Sequence, residues 1–135
     1  MNTTNNNNVA WLKQSLTYNE KSCLKWNKKY KGVDLWIVSD GKIYYTSNPY
    51  EEIPQETNKN GYKYVSIYKS NGDSFDMFVH HIMAYTYLYN DIKKFKELNK
   101  GVRFEINHKD GNILNNHISN LNISTIELNR INRKK

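Results

Sequence analysis

The sequence holds one cysteine, Cys23, so neither an internal disulfide nor a cysteine-based zinc site can form. Such sparing use of thiols fits a reducing compartment. No stretch comes near the ~18 apolar residues needed to span a bilayer, so no membrane partner is expected. Residues 1–8 are polar, with an asparagine run at 5–8 and no hydrophobic signal segment. A cytoplasmic location is therefore expected, with the run as a low-complexity tail. Apolar residues make up only 38% and mean hydropathy is −0.87, which leaves material for a small core. A length of 135 residues allows one domain, or a small domain with an appended module.

Aromatic rings and cations are what the chain has in quantity. Eleven Tyr, four Phe and three Trp supply large apolar faces that a wholly disordered chain would not keep. Lys and Arg number 20 against 13 acidic residues, a net charge of +7. The excess is concentrated: residues 13–31 carry six Lys against Glu20, and residues 130–135 carry Arg130, Arg133, Lys134 and Lys135. The remainder is slightly acidic. Basic blocks point toward a polyanion such as nucleic acid. Base composition offers a competing cause, because Asn (21), Lys (17), Ile (12) and Tyr (11) are all written by A/T-rich codons.

The pattern of apolar residues divides the chain into residues 1–25, a polar tail and basic segment; 26–79, a β-rich module; and 80–135, a helix followed by a motif-bearing segment. Trp11, Leu12, Leu16, Leu24 and Trp26 among lysines predict a helix within 10–31. Apolar runs at 35–38 and 43–46 flank Ser39-Asp40-Gly41-Lys42, a hairpin signal. A loop follows over 48–61. Tyr62 to Tyr68, Asn71-Gly72 and Phe75 to Val79 predict a second hairpin. Residues 80–98 turn helical, with a break at Asn90-Asp91 and an end at Gly101. A short strand over 102–106, a polar 14-residue loop over 107–120 and a returning strand at Leu121 and Ile123 come next. Ser124-Thr125-Ile126-Glu127 has the form of a capping box opening a last helix. A loop of that length in a small domain is usually functional.

This strand–loop–strand–helix layout fixes three polar positions: Asn107-His108 ending the first strand, Asn120 entering the second, and Asn129 inside the helix. A neutral His held by a strand can take a proton from water. Amide oxygens from Asn107 and Asn129 can hold a hard cation such as Mg²⁺. Together they suit metal-assisted phosphodiester hydrolysis.

Ile106-Asn107-His108-Lys109-Asp110-Gly111-Asn112, Asn115-Asn116, Asn120-Leu121 and Thr125…Asn129 resemble the HNH endonucleases of the homing-endonuclease branch, which have a ββα-metal fold. Gly61-Tyr62…Val65-Ser66-Ile67 and Val79-His80…Met83-Ala84 resemble the strand pair and helix start that precede that motif. Trp36 through Ile43 resembles the small β module often fused in front of such nucleases. The resemblance implies an α+β fold, an N-terminal antiparallel sheet with helices followed by a C-terminal ββα motif, and cleavage of double-stranded DNA. It assigns His108 as general base, Asn107 and Asn129 as ligands of one Mg²⁺ or Mn²⁺, and Asn120 as the residue that braces the loop and orients His108. Lys109, Lys28, Lys29, Lys42, Lys63, His80, Arg130 and Arg133 are the implied DNA contacts. Asn107 stands where this branch often has Asp, Ile123 where it usually has Trp, and His81 where it tends to have Arg.

One ββα motif implies nicking of a single strand, and double-strand cleavage implies a homodimer. The neutral Asn107 leaves an alternative open, a DNA-binding protein that keeps the fold without catalysis. For His80 and His81, a phosphate contact at the helix start stands beside core or cap duty. His117 is expected to be exposed.

Overall fold

The structure, a computed structural model, describes residues 25–125. It is α+β, as the sequence implies. Strands β1 (Lys25–Tyr30), β2 (Val33–Val38) and β3 (Ile43–Tyr45) form one antiparallel sheet, and β4 (Glu56–Thr57), β5 (Lys63–Tyr68) and β6 (Ser74–Phe78) form a second. Helices α1 (Val79–Tyr87) and α2 (Tyr89–Leu98) follow, then a two-stranded hairpin of β7 (Phe104–His108) and β8 (Leu121–Thr125). A single 3₁₀ turn, Ile118–Asn120, leads into β8.

Both expected hairpins form, but the helix expected within 10–31 does not extend over 25–30. Those residues are β1, with Trp26, Lys28 and Tyr30 opposite Ile37, Leu35 and Val33. Pairing with β2 makes this segment a strand, and Lys31-Gly32 closes the hairpin with both residues at positive φ. The rest of that expectation, residues 10–24, lies outside the described residues.

Helix α1 is the centre of the packing. Val79, Ile82, Met83 and Ala84 are completely buried, facing Leu35, Ile37 and Ile43 of the first sheet, Val65 and Ile67 of the second, and Ile106 and Leu121 of the β7–β8 hairpin. Burial of each large side chain stabilises the fold by about 1.5–3 kcal/mol. The helix is also tied to β1. Tyr30 Oη donates to the Ile82 carbonyl at 3.1 Å and shares a 2.7 Å hydrogen bond with Thr86, while Lys28 Nζ donates to the Tyr85 carbonyl. The last carbonyls of a helix lack intrahelical donors, so a cation there is doubly favoured. The break between the helices falls at Leu88, two residues before Asn90-Asp91. Among the described residues no helix is long and apolar enough to cross a membrane.

His80, in the first turn of α1, is only 8% exposed. Its ring packs 5.3 Å from Tyr62 and from Phe78, 4.5 Å from His81 and 5.2 Å from His108. Loss of water around the ring, aided by the two neighbouring imidazoles, pushes its pKa down to about 3. The unfolded chain takes up this proton near pH 6.5, whereas the fold resists it until about pH 3. Stability should therefore fall as pH drops below 6.5, by about 1.4 kcal/mol per pH unit for this group alone. Chemical denaturation of wild type and His80→Phe between pH 7.5 and 4.5 checks this: the variant should show the shallower slope, and equal slopes would remove His80 as the cause.

Candidate active site

The polar loop expected over 107–120 lies between β7 and β8, beginning after His108, and is a succession of side-chain-templated turns. Asp110 Oδ1 accepts from Asn112 N at 2.8 Å, Asn112 Oδ1 from Leu114 N at 3.0 Å, and Asn115 Oδ1 from His117 N at 3.3 Å. His117 then caps the 3₁₀ turn, its Nδ1 accepting from Ser119 N at 3.1 Å. Asn and Asp favour such turns because their side chains imitate a backbone carbonyl. Each turn is local, so the loop keeps its shape with few apolar contacts.

Asn120 closes this loop from inside, being 8% exposed. Its Oδ1 accepts from Asp110 N at 3.1 Å, and its Nδ2 donates to Asp110 Oδ1 and to the Asn115 carbonyl, both at 2.9 Å. Its own carbonyl accepts from Lys109 N at 2.7 Å. These bonds are those of a loop brace. Asn115 Nδ2 reaches the other oxygen of Asp110 at 2.9 Å. Hydrogen bonds from Asn115, Asn112 and Asn120 hold the Asp110 carboxyl below its ordinary pKa.

His108 is the last residue of β7 and is 5% exposed. Its Nε2 lies 2.8 Å from Asn116 Oδ1, and its ring sits 6.4 Å from that of Tyr62. Burial lowers its pKa, outweighing the opposing influence of the Asn116 hydrogen bond and the Asp110 charge. The ring is thus neutral at pH 7. Asn116, to which the sequence assigns no role beyond its place in the Asn115-Asn116 pair, accepts a hydrogen bond from the imidazole.

Asn107 precedes His108 and, by strand alternation, emerges on the face of β7 opposite buried Ile106 and His108. Its Nδ2 donates to Asn122 Oδ1 on β8 at 3.0 Å, which orients the amide. Asn122 carries no motif signal in the sequence and is found only through this cross-strand pairing. Among the described residues no three His, Cys, Asp or Glu side chains are placed to share a metal ion. An oxygen donor set built on amides suits a hard cation but lends it little charge. Asn129, Arg130 and Arg133, with the helix expected to carry them, lie outside the described residues.

The remaining implied DNA contacts are scattered. Lys109 is exposed, next in sequence to His108. Lys28 is turned to the α1 carbonyl and lies over the Tyr30 and Tyr89 rings at 5.6 and 5.1 Å, a structural commitment. Lys29 and Lys42 make exposed ion pairs with Asp34 and Asp40, each at 3.9 Å. Lys63 is half-buried on β5, and the uncharged, enclosed His80 brings no positive charge to a phosphate. A cleft of about 620 Å³ adjoins the site, lined among others by Tyr62, Phe78, His80, His81, Arg103 and Phe104.

No family model matches the chain, and no curated protein matches it. Among solved structures it is similar to one described as DNA binding and cleavage by the HNH homing endonuclease I-HmuI, with 24% sequence identity and a TM-score of 0.56. The match covers 80% of this chain and 57% of that one, so the chain spans little more than half the length of its structural neighbour. The likeness is one of fold: this chain has an HNH homing endonuclease-like α+β fold.

Proposed function

We propose that this chain is a DNA endonuclease that hydrolyses phosphodiester bonds, one strand per active site. The observation that carries the reading is His108: a neutral, enclosed imidazole at the end of β7, next to an oxygen donor and an exposed lysine, in a fold like that of an HNH nuclease. His108 takes a proton from the attacking water as its oxygen bonds to phosphorus and the P–O bond to the leaving oxygen breaks. Asn120 keeps the loop closed around it. Asn107 and Asn129 offer amide oxygens to one Mg²⁺ or Mn²⁺, which would supply charge neutralisation at the scissile phosphate. Lys109 and the basic blocks supply phosphate contacts that carry no sequence information. Cleavage of both strands would need a second copy of the chain. The uncharged Asn107 favours a second reading, a DNA-binding protein of this fold without catalysis.

Supercoiled plasmid incubated with and without Mg²⁺ separates the two. The nuclease reading expects open-circular product before linear product, only with the metal, and none from His108→Ala despite duplex affinity within about twofold of wild type. Equal nicking by both proteins would sink the assignment. Because burial holds the His108 pKa below the ordinary 6.5, the nicking rate should reach half its plateau only below pH 6.5, as the ring protonates. A rate already halved at pH 7 would contradict this. Asn107→Asp adds a full negative charge to the ligand set, so the Mg²⁺ concentration for half-maximal nicking should fall by roughly tenfold. An unchanged requirement would place the ion elsewhere.

A further inference from the structure

We propose that the cleft beside His108 is a subsite for one unpaired nucleotide of a DNA strand, its nucleobase out of the stack and lying against the ring of Tyr62. The inference rests on the nuclease reading for DNA as the ligand, but the subsite would bind whether or not the chain cuts. A cleft of about 620 Å³ falls within the size that holds small ligands, roughly 300–1,000 Å³. That is the scale of a nucleotide and far below that of a duplex. The cleft also adjoins His108. Two residues of its wall, His80 and Tyr62, have their rings 5.2 and 6.4 Å from the His108 ring. A nucleotide seated there would neighbour the phosphate presented to His108.

The wall matches the chemistry of a nucleotide. Tyr62 precedes β5, Phe78 ends β6 and Phe104 begins β7, so three segments bring aromatic rings to one cleft. All three are half-buried, and a partly open ring offers a face on which any nucleobase can stack. Tyr62 is fixed by the turn before it. Asn58 Oδ1 accepts from Asn60 N at 3.0 Å and from Tyr62 N at 2.9 Å, and Gly61 N donates to the Asn58 carbonyl at 3.0 Å. A residue ordered in advance gives up little freedom on binding. Arg103 and Lys96 also line the cleft, and among the described residues neither enters an ion pair. Against the single carboxylate of the described wall, Glu105, these two cations leave it net positive, as a phosphate requires. His80 adds an unsatisfied polar atom: the residue is 8% exposed, and its Nδ1 is buried with no hydrogen-bond partner among the described residues. Buried polar atoms are almost always paired, and the edge of a nucleobase carries both donors and acceptors. A purely apolar occupant would leave that nitrogen unpaired.

Fluorescence anisotropy of the full-length chain in EDTA, which removes divalent metal, tests this with three duplexes of one sequence. One is fully paired, one carries a single extra unpaired nucleotide, and one carries the same bulge without its nucleobase. Stacking of one nucleobase on an aromatic ring is worth roughly 5- to 150-fold in affinity, and a nucleobase already unpaired is the least costly to take out of the stack. The bulge with its nucleobase should therefore bind about tenfold more tightly than the paired duplex. The abasic bulge, equally flexible, should stay within about twofold of the paired duplex. Tyr62→Leu, which removes the ring, should cut the tenfold preference to below about threefold. Arg103→Gln, at an exposed position where the fold does not depend on the side chain, should weaken the nucleobase-bearing bulge more than the paired duplex. Equal affinity for all three duplexes, an abasic bulge that binds as tightly as the complete one, or a preference that survives both substitutions would overturn the proposal. The preference in a protein that nicks no plasmid would uphold the subsite and overturn the nuclease reading; nicking by a protein without the preference would do the reverse.

Discussion

The burial of α1 is the constraint on which the rest depends. Four of its residues are completely buried in one cluster with residues of three separate β elements. The same helix brings His80 against His108, so the seat of the helix and the surroundings of His108 are one packing problem. From β1, Tyr30 and Lys28 reach the helix carbonyls at Ile82 and Tyr85 and set how it lies. A chain with 38% apolar residues makes such side-chain-to-backbone bonds matter, because a small core leaves little surplus stability.

Two opposing influences meet at His108. Enclosure among Tyr62, His80 and the loop favours the neutral ring; Asn116 and the negative Asp110 favour the charged one. Burial wins. Asp110 is exposed to water, which screens its charge, and an amide oxygen is a weak stabiliser of an imidazolium next to the cost of desolvating it. A neutral ring held by an acceptor at one nitrogen is the condition a general base needs.

Much of this arrangement was legible in the residue order. Asp40-Gly41 and Asn71-Gly72 announce their hairpins because their φ requirements are local, and the strand–loop–strand segment shows in the alternation around Ile106 and the return at Leu121 and Ile123. Strand β1 was not legible. Its lysines interrupt the apolar pattern, and the pairing that makes it a strand comes from β2 rather than from within the segment. The early break at Leu88 was hidden too, since Leu88 leaves helical geometry with no Gly or Pro beside it to signal a stop. Asn116 escaped notice for a different reason. In a chain with 21 asparagines, composition cannot separate the one that meets a histidine from those that shape turns.

The ion pairs of the first sheet have a consequence for ionic strength. Lys29–Asp34 and Lys42–Asp40 are both exposed and both 3.9 Å long, a geometry worth little in water. The fold rests on buried aliphatic packing and short-range hydrogen bonds, which salt scarcely screens. Any grip on a polyanion through lysines is, by contrast, steeply weakened by added salt. Raising the salt concentration would therefore loosen that hold while leaving the architecture, and the aim of its histidine, in place.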